Sequence, residues 1–267
     1  MKELTLQELK DIEFDILKVF DAFCKENNIR YFFAYGTLLG AIRYKKFIPW
    51  DDDVDVLVPR EDYNRLLTLF KDTEKYRMFA LERNPEYRYP FAKLCDMTTR
   101  KDEFGYNIGV ELGVDIDIFP LDNWDNDLEK AKQEAKEIGK YMKYLGFTKL
   151  KKPDSANPVK RFIKGIVMMF CKLLGSGYYL KKIMEASNKP EQKGSAYVGC
   201  KTWCVYGPRG IHRAEAFADS VEIEFEGQKF PAPIGWDTYL TDLYGDYLPE
   251  PPKEKQKTHH SFKAYRL

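Results

Sequence analysis

Two short stretches constrain this chain more than anything else in it: Asp51-Asp52-Asp53-Val54-Asp55-Val56 and, farther along, Asp115-Ile116-Asp117-Ile118. Each alternates acids with β-branched residues, the period-two pattern of a strand with one buried face. Val54 and Val56 are then expected in a core, while Asp53 and Asp55 converge on the other side. Four carboxylates within five positions repel one another and raise one another's pKa unless water or a divalent cation offsets them. An isolated Asp-rich loop is ordinarily a solvated turn. Two features favour a metal here: both acid pairs alternate with β-branched residues, and a Gly36-Thr37 turn precedes the first pair by a compact helix. Oxygen-only ligands suit Mg²⁺ (or Mn²⁺), with a third ligand from the Asp115–Asp117 strand. Asp52 is expected to point away from Asp53.

Around these strands the pattern reads as α+β. Apolar spacing from Leu4 to Phe23 predicts a helix with Thr5 as N-cap, ending near Asn27-Asn28. Tyr31 to Tyr35 reads as a strand and Leu38 to Ile42 as a short helix. Val54 to Val58 is a strand ended by Pro59, and Glu61 to Phe70 returns to helical periodicity. Phe91 to Leu94 and Val114 to Phe119 read as strands flanking a glycine-containing turn region at 105–113, and Asp127 to Leu145 as a long helix. Val221 to Phe230 alternates around Glu226-Gly227-Gln228 and predicts a hairpin. The chain from Leu248 onward is Pro-rich, basic and expected to be irregular.

With 267 residues, 44% of them hydrophobic and 15% aromatic, the chain has material for a real core and is not intrinsically disordered. The 43 Lys+Arg and 42 Asp+Glu nearly cancel, which excludes a general polybasic surface for nucleic acid. A mean hydropathy of −0.53 and the lack of a long apolar run argue against a membrane span. The charged start Met1-Lys2-Glu3-Leu4 lacks an apolar signal region, so a cytoplasmic location is expected. Five scattered cysteines point to reduced thiols rather than a disulfide framework, and Cys200 and Cys204 lack a second Cys/His pair at zinc-finger spacing.

The turn at Gly36-Thr37 can offer backbone N–H groups and a hydroxyl to a phosphate. Phosphate, metal and carboxylates together describe phosphoryl transfer. Tyr35-Gly36-Thr37-Leu38-Leu39-Gly40-Ala41-Ile42-Arg43, then Ile48-Pro49-Trp50-Asp51-Asp52-Asp53-Val54-Asp55, then Asp117-Ile118-Phe119-Pro120-Leu121-Asp122 resemble the LicD family of phosphocholine transferases. The same core is similar to that of the fukutin-related transferases. Tyr239-Leu240, Tyr244-Gly245-Asp246-Tyr247 and Pro251-Pro252 with the basic tail also resemble the family.

The resemblance implies a nucleotidyltransferase-like core, a small mixed sheet flanked by helices, over residues 1–145. Residues 146–267 would form a mostly helical acceptor- or membrane-facing region with a β-hairpin, packed on that core. It further implies Asp53 and Asp55 as the catalytic metal pair, Asp117 as third acid (metal ligand or general base), Asp51 as an auxiliary ligand, and Asp115 behind them. Thr37 stands where the superfamily usually has Ser or Gly, and keeps the hydroxyl.

The implied reaction moves phosphocholine from a CDP-choline donor to a lipid-linked glycan such as a teichoic acid or lipopolysaccharide-like precursor. Gly36, Thr37, Arg43 and Lys93 are candidate nucleotide or phosphate contacts. Arg43 reads equally well as a surface cation balancing the acids. A choline headgroup needs an aromatic cage; Tyr35, Trp50, Tyr106, Trp203 and Tyr206 are candidates. His259 and His260, beside Lys257, are candidate acceptor or phosphate contacts, or part of a disordered tail. Finally, residues 149–182 hold nine Lys/Arg against one acid around the apolar string Ile166 to Cys171. This composition suits an interfacial helix on the cytoplasmic leaflet, or a core helix with a solvated basic face.

Overall fold

The computed structural model describes residues 1–103, 108–258 and 262–267. A short strand, β1 (Lys2–Glu3), leads into α1 (Leu6–Glu26). Thr5 caps α1 as its sequence predicts: the hydroxyl accepts from the Glu8 N–H, and the Glu8 carboxylate accepts from the Thr5 N–H. Such reciprocal caps are worth about 1 kcal/mol. β2 (Phe32–Phe33) is shorter than expected, because Tyr35, at φ 43°, turns the chain directly into α2 (Tyr35–Tyr44). There follow β3 (Asp55–Pro59), α3 (Arg60–Leu69), β4 (Tyr76–Phe79), β5 (Ala92–Glu103) and β6 (Leu112–Asn123).

The second half contains α4 (Leu128–Lys149), α5 (Pro158–Ser187), β7 (Tyr197–Gly199) and β8 (His212–Arg213). It ends with the hairpin β9 (Ser220–Phe225) and β10 (Gln228–Pro233), then α6 (Trp236–Tyr244) and β11 (Phe262–Arg266). Asp127 and Asn157 cap α4 and α5 by accepting backbone N–H bonds. Glu226 at φ 49° and Gly227 at φ 74° supply the two left-handed positions of a two-residue hairpin turn. All five cysteines are buried free thiols.

One mixed sheet organises the molecule, an α+β arrangement with no closed barrel among the described residues. β5 and β6 run antiparallel at its centre, β3 lies parallel to β6, and β2 antiparallel to β3. On the other side of β5, β4 pairs with its first half and β11 with its second; β1 adds to β11. β7 pairs with the far end of β6, and β8 with β7. The core lies between this sheet and α1: Ile16, Leu17 and Phe20 of the helix and Val54, Val56, Ile116 and Ile118 are fully buried in one cluster.

The end of the chain departs from expectation. It is not irregular throughout, because β11 completes the sheet against Thr99–Glu103. The sheet therefore draws strands from both sides of residue 145, which itself falls inside α4. The turn region at 105–113 lies partly outside the described residues, as do Tyr106, His259 and His260 wholly.

Candidate active site

The parallel pairing of β3 with β6 sets Asp55 opposite Asp117, and the antiparallel pairing of β6 with β5 sets Asp117 opposite Lys93. Three strands thus carry one row, acid–acid–base, across the face opposite the α1 core. Asp115, two residues before Asp117, shares that face. Lys93 donates to Asp115 at 2.7 Å and to Asp117, and Lys101 donates to Asp115 at 3.0 Å. The sequence placed Lys93 as a phosphate contact; the structure engages its ammonium with two carboxylates, because strand register puts it between them.

The electrostatics follow from that arrangement. Burial pushes the Asp115 carboxyl up, but the Lys101 and Lys93 ammoniums outweigh it and hold it at about 2. Asp117 is pushed up by burial, pulled back by Lys93 and raised by Asp115, and settles at about 6. Asp55 is raised well above the carboxylate range by burial and by Asp53, Asp117 and Asp51, with Lys93 opposing. Asp51, Asp52 and Asp53 each bring a ligand oxygen within 4.8 Å of the others. The sequence pointed Asp52 away from Asp53. Strand alternation does not apply there, since β3 begins only at Asp55, and buried Asp52 turns into the same cluster. This dense set of oxygens with a net negative charge fits a hard divalent cation.

Gly36 sits hard against the acids: a Cβ there would lie 2.6 Å from Asp51 Oδ2. A side chain there would push the Asp51 carboxylate aside, so glycine keeps that acid close against the first turn of α2. Thr37 is buried, and its hydroxyl accepts from the Asp55 N–H at 2.8 Å. It ties α2 to β3 and is not among the residues that line the cavity. Arg43 does line the cavity, and its guanidinium donates to the carbonyls of Tyr247 and, at 2.8 Å, Pro249. Asp122, in the same motif as Asp117, makes a buried two-point ion pair with Arg60 at 2.7 and 3.1 Å.

All of Asp51, Asp53, Asp55, Asp115 and Asp117 open onto one cavity of about 1180 Å³. Tyr35, Trp50, Trp203 and Tyr206 line it too. Tyr35 and Tyr206 stack on each other at 5.5 Å and 11°, and Tyr206 shares a hydroxyl contact with Tyr244. Trp203 instead stands edge-on to Tyr89 and Phe91, at 6.0 and 5.1 Å. Sequence reasoning missed Tyr89, Phe91, Lys101 and Lys149 on this wall. The first two were hidden among many aromatics. Lys101 follows a register shift in β5 between Asp96 and Lys101, where period two stops informing where a side chain goes.

Residues 28–137 match the LicD/FKTN/FKRP nucleotidyltransferase domain. Over its full length the chain is 34% identical to the lipopolysaccharide cholinephosphotransferase LicD of Haemophilus influenzae, in an alignment of 277 residues covering 100% of each chain. A protein of Rickettsia typhi without an assigned activity is 35% identical over 75 residues, 27% of this chain and 24% of that one. A second, from Rickettsia prowazekii, is 42% identical over 50 residues, 19% of each. The carboxylate row falls inside the matched domain, whereas Lys149, Trp203 and Tyr206 fall outside it.

Proposed function

The chain belongs to the LicD family, and we propose that it transfers phosphocholine from CDP-choline to a sugar hydroxyl of a cell-envelope glycan, a teichoic acid or lipopolysaccharide-like precursor, releasing CMP. Its family makes it a phosphotransferase. The observation that carries the reading is the row Asp55–Asp117–Lys93, with Asp51 and Asp53 beside it, in a cavity that also presents aromatic rings. Asp53 and Asp55, with Asp51, would hold Mg²⁺, which when bound neutralises charge on the donor diphosphate. The first turn of α2 at Gly36 and the Arg43 guanidinium meet the donor phosphates. The acceptor oxygen attacks the phosphocholine phosphorus, the bond from that phosphorus to the CMP oxygen breaks, and Asp117 takes the hydroxyl proton. With a pKa at about 6, Asp117 is largely ionised at neutral pH and close enough to it to act as a base. Lys93 holds the Asp117 carboxylate in place.

The test is the double variant Asp53→Asn/Asp55→Asn. Transfer from CDP-choline is expected to vanish while the circular dichroism spectrum is retained; full Mg²⁺-dependent turnover would overturn the assignment. A thermal-shift comparison of CDP-choline, CDP-ribitol, CTP and ATP, each with Mg²⁺, identifies the donor. Stabilisation by CDP-choline above the others supports the reading, and preference for CDP-ribitol or CTP replaces it with transfer of a pentitol phosphate or a nucleotidyl group.

The acceptor side of the proposal is a lipid-linked glycan met in the cytoplasm at the inner leaflet. No described helix is long and apolar enough to cross a membrane. Supporting a peripheral contact, α5 exposes Phe162, Ile163, Ile166, Met169, Phe170 and Leu173, interleaved with Lys160, Arg161, Lys164 and Lys172. An apolar stripe with flanking cations is what an anionic interface binds.

A further inference from the structure

Lys149 is the last residue of α4, and its ammonium lies where a lysine has little reason to be. The residue is 5% exposed, and among the described residues no carboxylate lies within ion-pair distance of it; its close partner is a ring face, with Nζ 3.7 Å from the Tyr89 centroid. A buried primary ammonium needs acceptors for three N–H groups. The Tyr89 ring packs in turn on two others: Phe91 lies 5.2 Å away at 42°, and Trp203 stands at 71° to Tyr89 and 66° to Phe91. The Tyr89 face offers π electrons and no acceptor, and the Tyr89 hydroxyl is already engaged in donating to the Glu103 carboxylate. That environment fits a cation with no N–H to satisfy, a quaternary ammonium.

The box also has the right neighbour. Lys93 Nζ, bonded to Asp115 and Asp117, lies 5.4 Å from the Tyr89 centroid and 5.6 Å from that of Phe91. The box is therefore next to the carboxylate row in the same cavity, as a group joined to a reacting phosphorus through two carbons and an oxygen requires. We propose that Tyr89, Phe91 and Trp203 form the subsite for the quaternary ammonium of the donor, and that Lys149 is a tethered stand-in that must withdraw before the donor enters. This rests on the phosphocholine reading and adds a competitor built into the chain. Burial pushes the Lys149 ammonium down to about 7, with Glu103 opposing and Lys93 and Arg88 adding to the shift. Those charged groups, on β5 and the segment before it, are the ones that face it. Lys149 thus competes as a cation below about pH 7 and loses its charge above it.

Calorimetric titration of the full chain with tetramethylammonium reads the box alone. Lys149→Met is expected to bind it about tenfold more tightly than the unaltered chain at about pH 6, since a desolvated cation–π contact is worth about that factor. The gain is expected to shrink at about pH 8.5. Trp203→Leu and Tyr89→Leu, each checked for fold by circular dichroism, are expected to lose the binding. Unchanged affinity in Lys149→Met, or full affinity in both ring variants, overturns the proposal. Turnover of CDP-choline is scored separately. Turnover with no tetramethylammonium effect removes the box and leaves the activity, while the effect without turnover keeps a quaternary-ammonium site and removes the donor.

Discussion

Lys93 decides how the acids behave. It sits between Asp115 and Asp117 with its own side chain 5% exposed, so it neutralises charge where water does little. Replacing it with Met leaves Lys101 to compensate Asp115 and nothing comparable for Asp117. Removing one partner of a buried ion pair costs about 3 kcal/mol or more, so Lys93→Met is expected to melt several degrees lower. It also removes the neighbour that draws Asp117 down. The acidic limb of kcat/KM, expected near pH 6 in the unaltered enzyme from Asp117 at about 6, then moves to higher pH. A profile that loses amplitude without moving its limb would show Lys93 to be structural only. Much of this was readable in the sequence: Asp55 and Asp117 stood out because alternation with Val and Ile fixes a face, whereas Asp53 precedes β3 and stood out through its place in the acid cluster. The use of Lys93 was not, because a lysine's partners depend on which strand lies alongside, and that register is a long-range fact. The tie made by Thr37 was hidden for a similar reason: its hydroxyl accepts from the Asp55 N–H, a residue from another element.

Among the elements, α5 departs furthest from ordinary globular packing. Its buried residues, Met168, Cys171, Tyr179, Leu180 and Ile183 among them, seat one side of it against α4. Phe162 and Leu173 remain 71% and 83% exposed, in register with other apolar residues three and four positions apart. A helix with a solvated basic face, the simpler expectation, would not show this stripe. Binding to anionic vesicles in a low-salt flotation assay is expected, weakening as salt screens the flanking lysines. The triple variant Phe162→Ser/Phe170→Ser/Leu173→Ser is expected to lose at least about tenfold in partitioning, since each large apolar side chain contributes about 1.5–3 kcal/mol when fully buried. Its melting temperature should hold, because those side chains are exposed in the free protein. Absence of flotation in the unaltered protein would remove the membrane contact. The hairpin β9–β10 was legible because its turn chemistry is local. β4 and β11 were not: both are of mixed composition, β4 pairs with β5 and β11 lies between β5 and β1, and each becomes a strand only because those partners are there.

Across the whole molecule, the near-zero net charge conceals a separation. Residues 102–137 carry eleven acids against three lysines, and residues 149–182 nine bases against one acid. The fold answers the first excess internally: Asp115 and Asp117 meet Lys93 and Lys101, and Asp122 meets Arg60. Of the basic excess, Lys149 turns inward at the end of α4, while Lys160, Arg161, Lys164, Lys172, Lys181 and Lys182 stay outside on α5. What no local pattern could reveal is how the two ends of the described chain close on the site. Asp246, Tyr247, Pro249, Glu250 and Lys255 line the cavity, Arg43 fastens the carbonyls of Tyr247 and Pro249, and β11 then pairs with β5 along Thr99–Glu103, bringing the Phe262 ring within 4.4 Å of the Lys101 ammonium. Removing residues 262–267 would bare the β5 edge and take away the ring that covers Lys101, which in turn holds Asp115. The cation–π contact, worth about 0.5–2 kcal/mol, and the lost pairing together should lower the melting temperature by about 5 °C or more. Because Lys101 steadies the acid behind Asp117, turnover should fall by more than the unfolded fraction accounts for when both are measured at a temperature where the truncated chain is still folded. Turnover that falls only in proportion to unfolding would make β11 a structural strand with no hold on the site.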